Sequence, residues 1–286
     1  MTISLTLDWP AALSAARARA LSARALKPIA VEGETVVDRG VPFRVEWISS
    51  LAMKDLAGLP RAGDKAKGAN PFLPYERDLW AADVSGTHVA ILNKFPVWSG
   101  HFLVITTSYV NQEAPLDLAD AAAMAIVLTA MDGLVFYNSG AAAGASQSHR
   151  HLQMLPGFEP AITALTPSDG AFGEVRQAPS LPFRHIFCRL DRSAAQRGDL
   201  TGPQLLRLVA EACRAAGVTC QDGRMSPYNL LLTRDWLIIV PRRQESVDGL
   251  SLSALGYCGL IGLRTPDQIE LVRRLGPMHM LSEAAG

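Results

Sequence analysis

The stretch Asn138–Pro156, NSGAAAGASQSHRHLQMLP, is the most informative part of the sequence for the fold and holds most of the residues that could carry chemistry. Its first half is a loop of small residues, and its second half alternates in a way that predicts a β-strand over residues 147–154. Successive side chains of a strand point to opposite faces. One face of this strand then carries Gln147, His149, His151 and Gln153, and the other carries Ser148, Arg150, Leu152 and Met154.

This pattern suits chemistry at a phosphoryl group. Glycines at 140 and 144 allow backbone N–H groups to approach an anion closely, and Ser139, Ser146 and Ser148 add hydroxyl donors. An imidazole has an unperturbed pKa of ~6.5, so its neutral, nucleophilic form is abundant at pH 7. Attack on phosphorus would give a covalent phosphoramidate, which splits one displacement into two. The second histidine could orient the first or contact the phosphate, and Gln153 could donate without adding charge.

Other interpretations of the histidines remain open at this point. A His-x-His pair can be purely structural or can bind zinc, but zinc needs further ligands. His185 and Cys188 are the nearest, and no partner motif accompanies them, so catalysis is favoured over zinc. Among the histidines outside the motif, His101 is interpreted as structural, His88 and His279 as surface or boundary residues, and His185 as either packed or lining a cleft. Arg242 and Arg243 form a solvated strand end or contact phosphate.

The flanking sequence predicts an α+β fold with a mainly antiparallel sheet. One hairpin comprises residues 87–93 and 100–107 around a turn at Pro96, and another comprises residues 228–233 and 236–240. Short strands are expected in residues 35–40 and 43–48, with the break at Val41–Pro42. Helices are expected over residues 10–27, 117–131 (capped by Asp117), 203–216 and 266–275, and a long binding loop over residues 57–75.

Composition excludes several classes of protein. Apolar residues make up 49% and charged residues 19% of the 286, which excludes global disorder. Lys plus Arg and Asp plus Glu both total 27, so we expect no dominant electrostatic attraction to nucleic acid or to an anionic membrane, although this balance does not exclude local basic patches. The longest apolar stretch, residues 121–131, is too short to span a bilayer, which needs ~20 residues. The N-terminus lacks the pattern of a signal peptide, and the four cysteines form no CxxC pair, so a cytoplasmic protein with reduced thiols is expected.

The motif and its neighbours resemble those of the diadenosine tetraphosphate phosphorylases (ATP adenylyltransferases), in the galactose-1-phosphate uridylyltransferase branch of the histidine-triad (HIT) superfamily. The resemblance extends from about Trp47 to the C-terminus and implies a HIT-like, GalT-like fold. It implies a catalytic region at 1–180 and a C-terminal ATP-adenylyltransferase-type region at 181–286 on the same sheet. Its blocks, in the family's order, are NPFLPYE, LNKFPVWSGHFLVIT, VFYNSG, LPFRHIF, SPYNLLLT, WLIIVPRR and ALGYCGLIGLR.

The resemblance implies a role for each matched residue. His151 matches the nucleophile that becomes adenylylated, His149 the histidine that supports the site, and Gln153 the glutamine at the reacting phosphate. The implied substrate-binding residues are Lys54, Asn93, Lys94, Asn138, Gly144, Ala145, Ser146 and Gln147. The chain departs from the family at Ser253, near a usual asparagine, and at Arg264, where a lysine is usual. Arg264 keeps the charge but changes its geometry.

The implied activity is the phosphorolysis of diadenosine tetraphosphate (Ap4A) to ATP and ADP through an adenylyl-histidine intermediate. Dinucleoside polyphosphates, ATP, ADP and phosphate are the expected ligands. No tightly bound cofactor and no protein metal site are expected, although Mg²⁺ could accompany the nucleotide. The alternatives are uridylyl or adenylylsulfate-type nucleotidyl transfer on the same scaffold, or a sensor that binds the nucleotide without turnover.

Overall fold

The computed structural model describes residues 7–49 and 70–286. Its helices are α1 (Trp9–Ser22), α2 (Leu118–Ala130), α3 (Arg192–Arg197), α4 (Gly202–Ala215), α5 (Ala254–Tyr257), α6 (Ile269–Leu275) and α7 (Pro277–Ala284). Its strands are β1 (Val31–Asp38), β2 (Val41–Ile48), β3 (Trp80–Asp83), β4 (His88–Leu92), β5 (Phe102–Thr106), β6 (Gly133–Asn138), β7 (His151–Pro156), β8 (Val175–Arg176), β9 (Ile186–Arg189), β10 (Cys220–Gln221), β11 (Arg224–Met225), β12 (Tyr228–Leu232), β13 (Trp236–Pro241), β14 (Ser246–Val247), β15 (Leu250–Ser251) and β16 (Leu260–Leu263).

A nine-stranded sheet organises the molecule, in the order β3-β4-β5-β7-β6-β12-β13-β9-β8. Every neighbouring pair in it is antiparallel. A smaller sheet has the order β1-β2-β16, with β16 parallel to β2. The predicted α+β class and antiparallel sheet are therefore confirmed. Strands from both sides of residue 180 share the large sheet, while the division into two regions at that residue stays a prediction.

The large sheet is covered on both faces, so its strands are apolar on both sides. Leu152 and Met154 of β7 pack into a core with residues of α1, α2 and α4. Leu155 belongs to a second core, with Phe136 of β6 and residues of β2, α5 and α7. Side chains of β7 thus alternate between two cores, as the pleat of a strand requires. The side chains of His151 and Gln153 lie on the same face of β7 as that of Leu155. They stand at the edge of the second core, where the candidate site begins.

The predicted strand over residues 147–154 is wrong in its first half. β7 begins at His151, and of the preceding residues only His149 forms a bridge, to Asn111. The reason is that the β6–β7 ladder ends at the pair Phe136–Gln153, beyond which the chain after β6 leaves the sheet as the small-residue loop. His151 and Gln153 share a face as predicted. His149 lies before the strand begins, so the alternation of β7 does not determine the position of its side chain.

Three further predictions needed adjustment. The β1–β2 hairpin turns at Arg39–Gly40, both with positive φ (49° and 78°), so the break precedes Val41–Pro42. Two residues with positive φ make the tight turn whose twist matches a hairpin. The first helix ends at Ser22 rather than at residue 27, and α7 was not anticipated. The helix capped by Asp117 is confirmed, with a capping box between Asp117 and Asp120.

Two further observations concern the helices and the cysteines. No helix within the described parts of the chain is long and apolar enough to cross a membrane. All four cysteines are free thiols, and three of them are buried.

Candidate active site

His151 stands at the start of β7 with its two ring nitrogens in different environments. Its Nδ1 lies 2.8 Å from the carbonyl oxygen of His149. Because a carbonyl only accepts, Nδ1 carries the proton and Nε2 keeps a lone pair. Nε2 has no hydrogen-bond partner among residues 7–49 and 70–286. Burial lowers the pKa of His151 to about 4, with the bond to His149 opposing that shift, so the ring is neutral at pH 7.

His149 is held from both of its nitrogens. Its Nε2 lies 2.9 Å from the carbonyl oxygen of Thr106, so that nitrogen carries the proton. Its Nδ1 accepts from the side-chain amide of Asn70 at 2.8 Å. Burial lowers the pKa of His149 as well. A histidine with both nitrogens occupied positions the neighbouring backbone, including the carbonyl that fixes the tautomer of His151.

Aromatic rings surround the two histidines. The ring centroid of Phe72 lies 5.6 Å from that of His149 and 5.4 Å from that of His151, and the ring of Tyr109 lies 5.7 Å from that of His149. Asn70 and Phe72 belong to the end of the predicted binding loop that the structure describes. Sequence reasoning did not single out either residue, although both lie in the family-like block NPFLPYE.

A hydrogen-bonded chain fixes the amide of Gln153. The side-chain amide nitrogen of Asn93 lies 2.9 Å from His101 Nδ1, which therefore accepts. His101 Nε2 then carries the proton and donates to Gln153 Oε1 at 3.0 Å. The amide nitrogen of Gln153 is left with no partner in the described part of the chain and can donate to a ligand. The structural role that the sequence suggested for His101 is incomplete, because His101 orients a side chain of the site.

The loop after β6 is a single 3-10 turn, Ala141–Ala143, between two glycines with positive φ. The N–H groups of Gly144 and Ala145 are used inside the loop, bonding to the carbonyls of Ala141 (2.9 Å) and Gly140 (3.0 Å). The N–H groups of the next three residues, 146–148, take part in no hydrogen bond between described residues. Three successive N–H groups without a partner are donors that an anion such as a phosphate could use.

Close packing fixes the position of the loop. Gly144 has φ +90°, and a Cβ on it would lie 2.9 Å from the Cβ of Ser253, so only glycine fits. Asn138 Oδ1 accepts from the Asn229 amide at 2.8 Å and from the N–H of Ala254 at 3.0 Å. Asn138 thereby ties the loop to α5 and β12. Its place as a nucleotide contact stays a prediction.

Arg242 is a buried residue that supports the small-residue loop. This position corrects both roles that the sequence suggested for it, a solvated strand end and a phosphate contact. It is buried, with 4% of its surface exposed. Its guanidinium donates to Asn229 Oδ1 at 2.7 Å and to the carbonyls of Gln244 (2.7 Å) and Leu252 (2.9 Å). Arg242 is therefore neither solvated nor available to phosphate, whereas Arg243 is exposed.

Two cavities adjoin the site. One, of about 280 Å³, lies against Gly144 and is also lined by Glu46, Ser251 and Ser253. The other, of about 190 Å³, lies against His101. Val97 lines both of them. The site therefore has space on the side of the small-residue loop and on the side of Gln153's hydrogen-bonded chain.

The other cationic residues named from the sequence are either bonded within the protein or lie outside the described residues. Lys94 pairs with Glu76, at 2.6 Å between Nζ and Oε2, and Arg264 donates to Ser251 Oγ at 3.2 Å. Lys54 lies outside the described residues, as do Lys65 and Lys67 of the predicted binding loop. The roles of these cations stay predictions.

Two other histidines prove to be buried and fully bonded. His185 receives the N–H of Ala178 at Nε2 (2.9 Å) and donates from Nδ1 to the carbonyl of Phe183 (2.7 Å). It is packed rather than lining a cleft. The surface role suggested for His88 is wrong, since His88 is 1% exposed and its Nε2 lies 3.2 Å from Asp120 Oδ1.

Metal binding receives no support from the described side chains. No group of three or more His, Cys, Asp or Glu residues within residues 7–49 and 70–286 is placed to hold a metal ion. Whether Mg²⁺ accompanies the nucleotide stays a prediction.

A free imidazole nitrogen beside unpaired backbone amides suits attack on a phosphoryl group, which is the chemistry of a histidine-dependent group transferase. The chain belongs to the Ap4A phosphorylase family: residues 6–167 match the Ap4A phosphorylase N-terminal domain, and residues 179–285 match the ATP adenylyltransferase C-terminal domain. The resemblance drawn from the sequence motifs is thus confirmed.

Individual relatives agree with this assignment. The chain is 29% identical over 260 residues to diadenosine 5',5'''-P1,P4-tetraphosphate phosphorylase 2 of Saccharomyces cerevisiae, which covers 80% of this chain and 78% of that protein. It is 27% identical over 250 residues to Protein APA1 of the same yeast, covering 77% and 75% respectively. The crystal structure of yeast Ap4A phosphorylase Apa2 superposes with a TM-score of 0.80 at 23% identity, over 99% of this chain and 95% of that one. The superposition shows that this chain has the fold of that phosphorylase.

Proposed function

We propose that this protein cleaves Ap4A with inorganic phosphate to give ATP and ADP, through an adenylyl group carried on His151. In the first step His151 Nε2 attacks the phosphorus next to one adenosine. A P–N bond forms, the P–O bond to the rest of the chain breaks, and ATP leaves. In the second step an oxygen of inorganic phosphate attacks the same phosphorus, the P–N bond breaks, and ADP is released.

The observation that carries this proposal is the environment of His151. A nucleophile needs an available lone pair, and Nδ1–H donating to the His149 carbonyl directs that lone pair to Nε2. The same carbonyl can stabilise the positive charge that develops on the ring as the P–N bond forms. Since burial lowers the pKa of His151 to about 4, no proton has to be removed before attack at pH 7.

Gln153 is placed to stabilise the transition state. Because His101 occupies its oxygen, the amide presents N–H donors on the same face of β7 as His151. Donors held in advance at the position where phosphoryl charge shifts cost no reorganisation during the reaction. The unpaired amides after Ala145 supply further donors for the remainder of the phosphate chain.

The two cavities that share Val97 fit a substrate with a nucleoside at each end. A phosphate chain lying across the small-residue loop would allow one nucleoside to enter each cavity. Yeast Apa2, which superposes with a TM-score of 0.75 in that form, has been solved in complex with Ap4A. Family membership and this arrangement favour Ap4A over a uridylyl or adenylylsulfate substrate.

Turnover and product identity test the proposal. Purified protein is incubated with Ap4A, with and without phosphate, and the nucleotides are separated by chromatography. We expect steady-state cleavage only with phosphate, giving ATP and ADP in equal amounts, and formation of Ap4A from ATP and ADP when phosphate is removed. Release of AMP and ATP at the same rate without phosphate would identify a hydrolase instead, and binding without any cleavage would identify a sensor.

A further inference from the structure

Gln112 lies outside the histidine motif but has its side chain inside the site. It is 1% exposed. Its Oε1 accepts the backbone N–H of His151 at 2.9 Å. Its Nε2 donates to the carbonyl of Asn138 at 2.8 Å and lies 3.3 Å from the carbonyl of His151. One neutral amide therefore joins the backbone of His151 to the residue that precedes the small-residue loop.

These contacts fill a gap in the sheet. The β6–β7 ladder stops at the pair Phe136–Gln153. Asn138 at the end of β6 and His151 at the start of β7 lie two residues beyond this pair, where the two strands have separated. Beyond that point their backbone groups need other partners, because a buried N–H or C=O without a hydrogen bond is destabilising. A side-chain carboxamide has the same donor and acceptor groups as a peptide, and that of Gln112 takes the place of the missing ladder bonds.

The segment that carries Gln112 is itself fixed. Its N–H donates to the carbonyl of Ser148 at 2.8 Å, and its carbonyl accepts from the hydroxyl of Tyr137. Arg150, which is fully buried, donates to the carbonyl of Ala114 at 2.6 Å and pairs with Asp120 of α2. The backbone of Gln112 is thus fixed by residues near the helix-covered face of the sheet, while its side-chain amide bonds to the backbone of the site.

We infer that Gln112 is a positioning residue for the transfer reaction: it sets the backbone of His151 relative to the loop that would hold the phosphate chain. The inference rests on the proposed function of that site. Gln112 touches no reacting atom. Its side-chain amide bonds to the backbone of His151 on β7 and to that of Asn138, which precedes the small-residue loop. It thereby sets the distance between the nucleophile and that loop. A neutral side chain suits the place, since a charge there would attract or repel the phosphate.

The test compares Gln112→Met, which keeps size and shape but removes all three contacts, with Leu205→Ala as a control. Leu205 is fully buried in α4, away from the site, so its truncation lowers stability without moving His151. We expect Gln112→Met to lower kcat by about 10- to 100-fold, as small misplacements of reacting groups do, with KM changed less than about 3-fold. Leu205→Ala should keep both parameters near wild type. Amide hydrogen exchange at His151 should accelerate in Gln112→Met and not in the control.

Two outcomes overturn the inference: a kcat for Gln112→Met equal to that of Leu205→Ala, or unchanged exchange at the His151 amide. If Gln112→Met does not fold, Gln112→Asn is measured in the same way, since it stays neutral and keeps the amide but is one methylene shorter, and wild-type kcat in that variant likewise overturns the inference. Failure of the proposed function is separate. It would show as a wild-type protein that does not turn over Ap4A, while the exchange measurement in the unliganded protein still decides whether Gln112 holds His151.

Discussion

His151 is the first residue of β7 and His185 immediately precedes β9 of the same sheet, and the two are held in nearly the same way. Each is buried, at 4% and 3% exposed, and each donates from Nδ1 to the carbonyl two residues earlier, at 2.8 and 2.7 Å. They differ at the second nitrogen. His185 Nε2 accepts the N–H of Ala178, whereas His151 Nε2 has no partner among the described residues and lies on the face that carries Gln153.

The comparison shows that local sequence does not make a histidine a nucleophile. The tautomer is the same at both sites, and burial lowers the pKa of both rings. What differs is whether the fold brings a backbone N–H to the free lone pair. At His185 the segment before β9 supplies one, and at His151 no N–H group of the described residues does so.

Replacing each histidine with alanine should separate the two roles most sharply. His151→Ala should lower kcat by about 10⁴-fold or more, because loss of a nucleophile removes the covalent path. His185→Ala should retain turnover but lower the free energy of unfolding by about 1–3 kcal/mol for each buried group left unpaired, here the Phe183 carbonyl and the Ala178 N–H. Initial rates and urea unfolding measure the two effects. Comparable loss of kcat in both folded variants would show that His185 also takes part in the reaction.

Gln153→Ala tests the donor that accompanies the free nitrogen. Its amide is aimed by His101, so its loss should lower kcat by about 100-fold, the usual effect of removing one donor to a transition state, with a smaller change in KM. Gln204→Ala, an exposed glutamine at the start of α4, is the matched control and should leave the rate unchanged. An effect of Gln153→Ala on KM alone would assign Gln153 to ground-state binding.

Much of this arrangement was predictable from the sequence, and the parts that were not share a physical cause. The alternation in HRHLQM correctly placed His151 and Gln153 on one face, and Asp117 correctly marked the start of α2. Sequence did not reveal Gln112, His101 or the support from Arg242, because each acts through contacts with residues distant in the chain. The pairing of β5 with β7 and of β6 with β7 and β12, together with that of β12 with β13, brings them together, and no local period encodes that register.

The buried neutral rings also predict how stability depends on pH. The pKa of His151 and that of His101 are lowered to about 4 in the folded protein, against ~6.5 when unfolded. Between these values the unfolded chain binds protons that the folded chain does not, so the free energy of unfolding decreases as pH falls from about 6.5 to about 4. Each ring contributes a slope of at most about 1.4 kcal/mol per pH unit.

Replacing His151 with alanine should remove the contribution of its ring to the pH dependence of the free energy of unfolding. Urea unfolding at several pH values between 7 and 4 should give a flatter profile for His151→Ala than for the wild-type protein. Parallel profiles would mean that His151 titrates alike in the folded and unfolded states. That result would remove the argument that the ring is neutral because it is buried.

Direct detection of the intermediate tests the central claim, which is that His151 Nε2 becomes bonded to phosphorus. The protein is mixed with Ap4A in the absence of phosphate, quenched at alkaline pH to preserve a phosphoramidate, digested and analysed by mass spectrometry. We expect an adenylyl group on the peptide containing His151, its disappearance on addition of phosphate with release of ADP, and the same adduct in His185→Ala. An adduct on any other residue, or turnover with phosphate while His151 stays unmodified throughout, would contradict it.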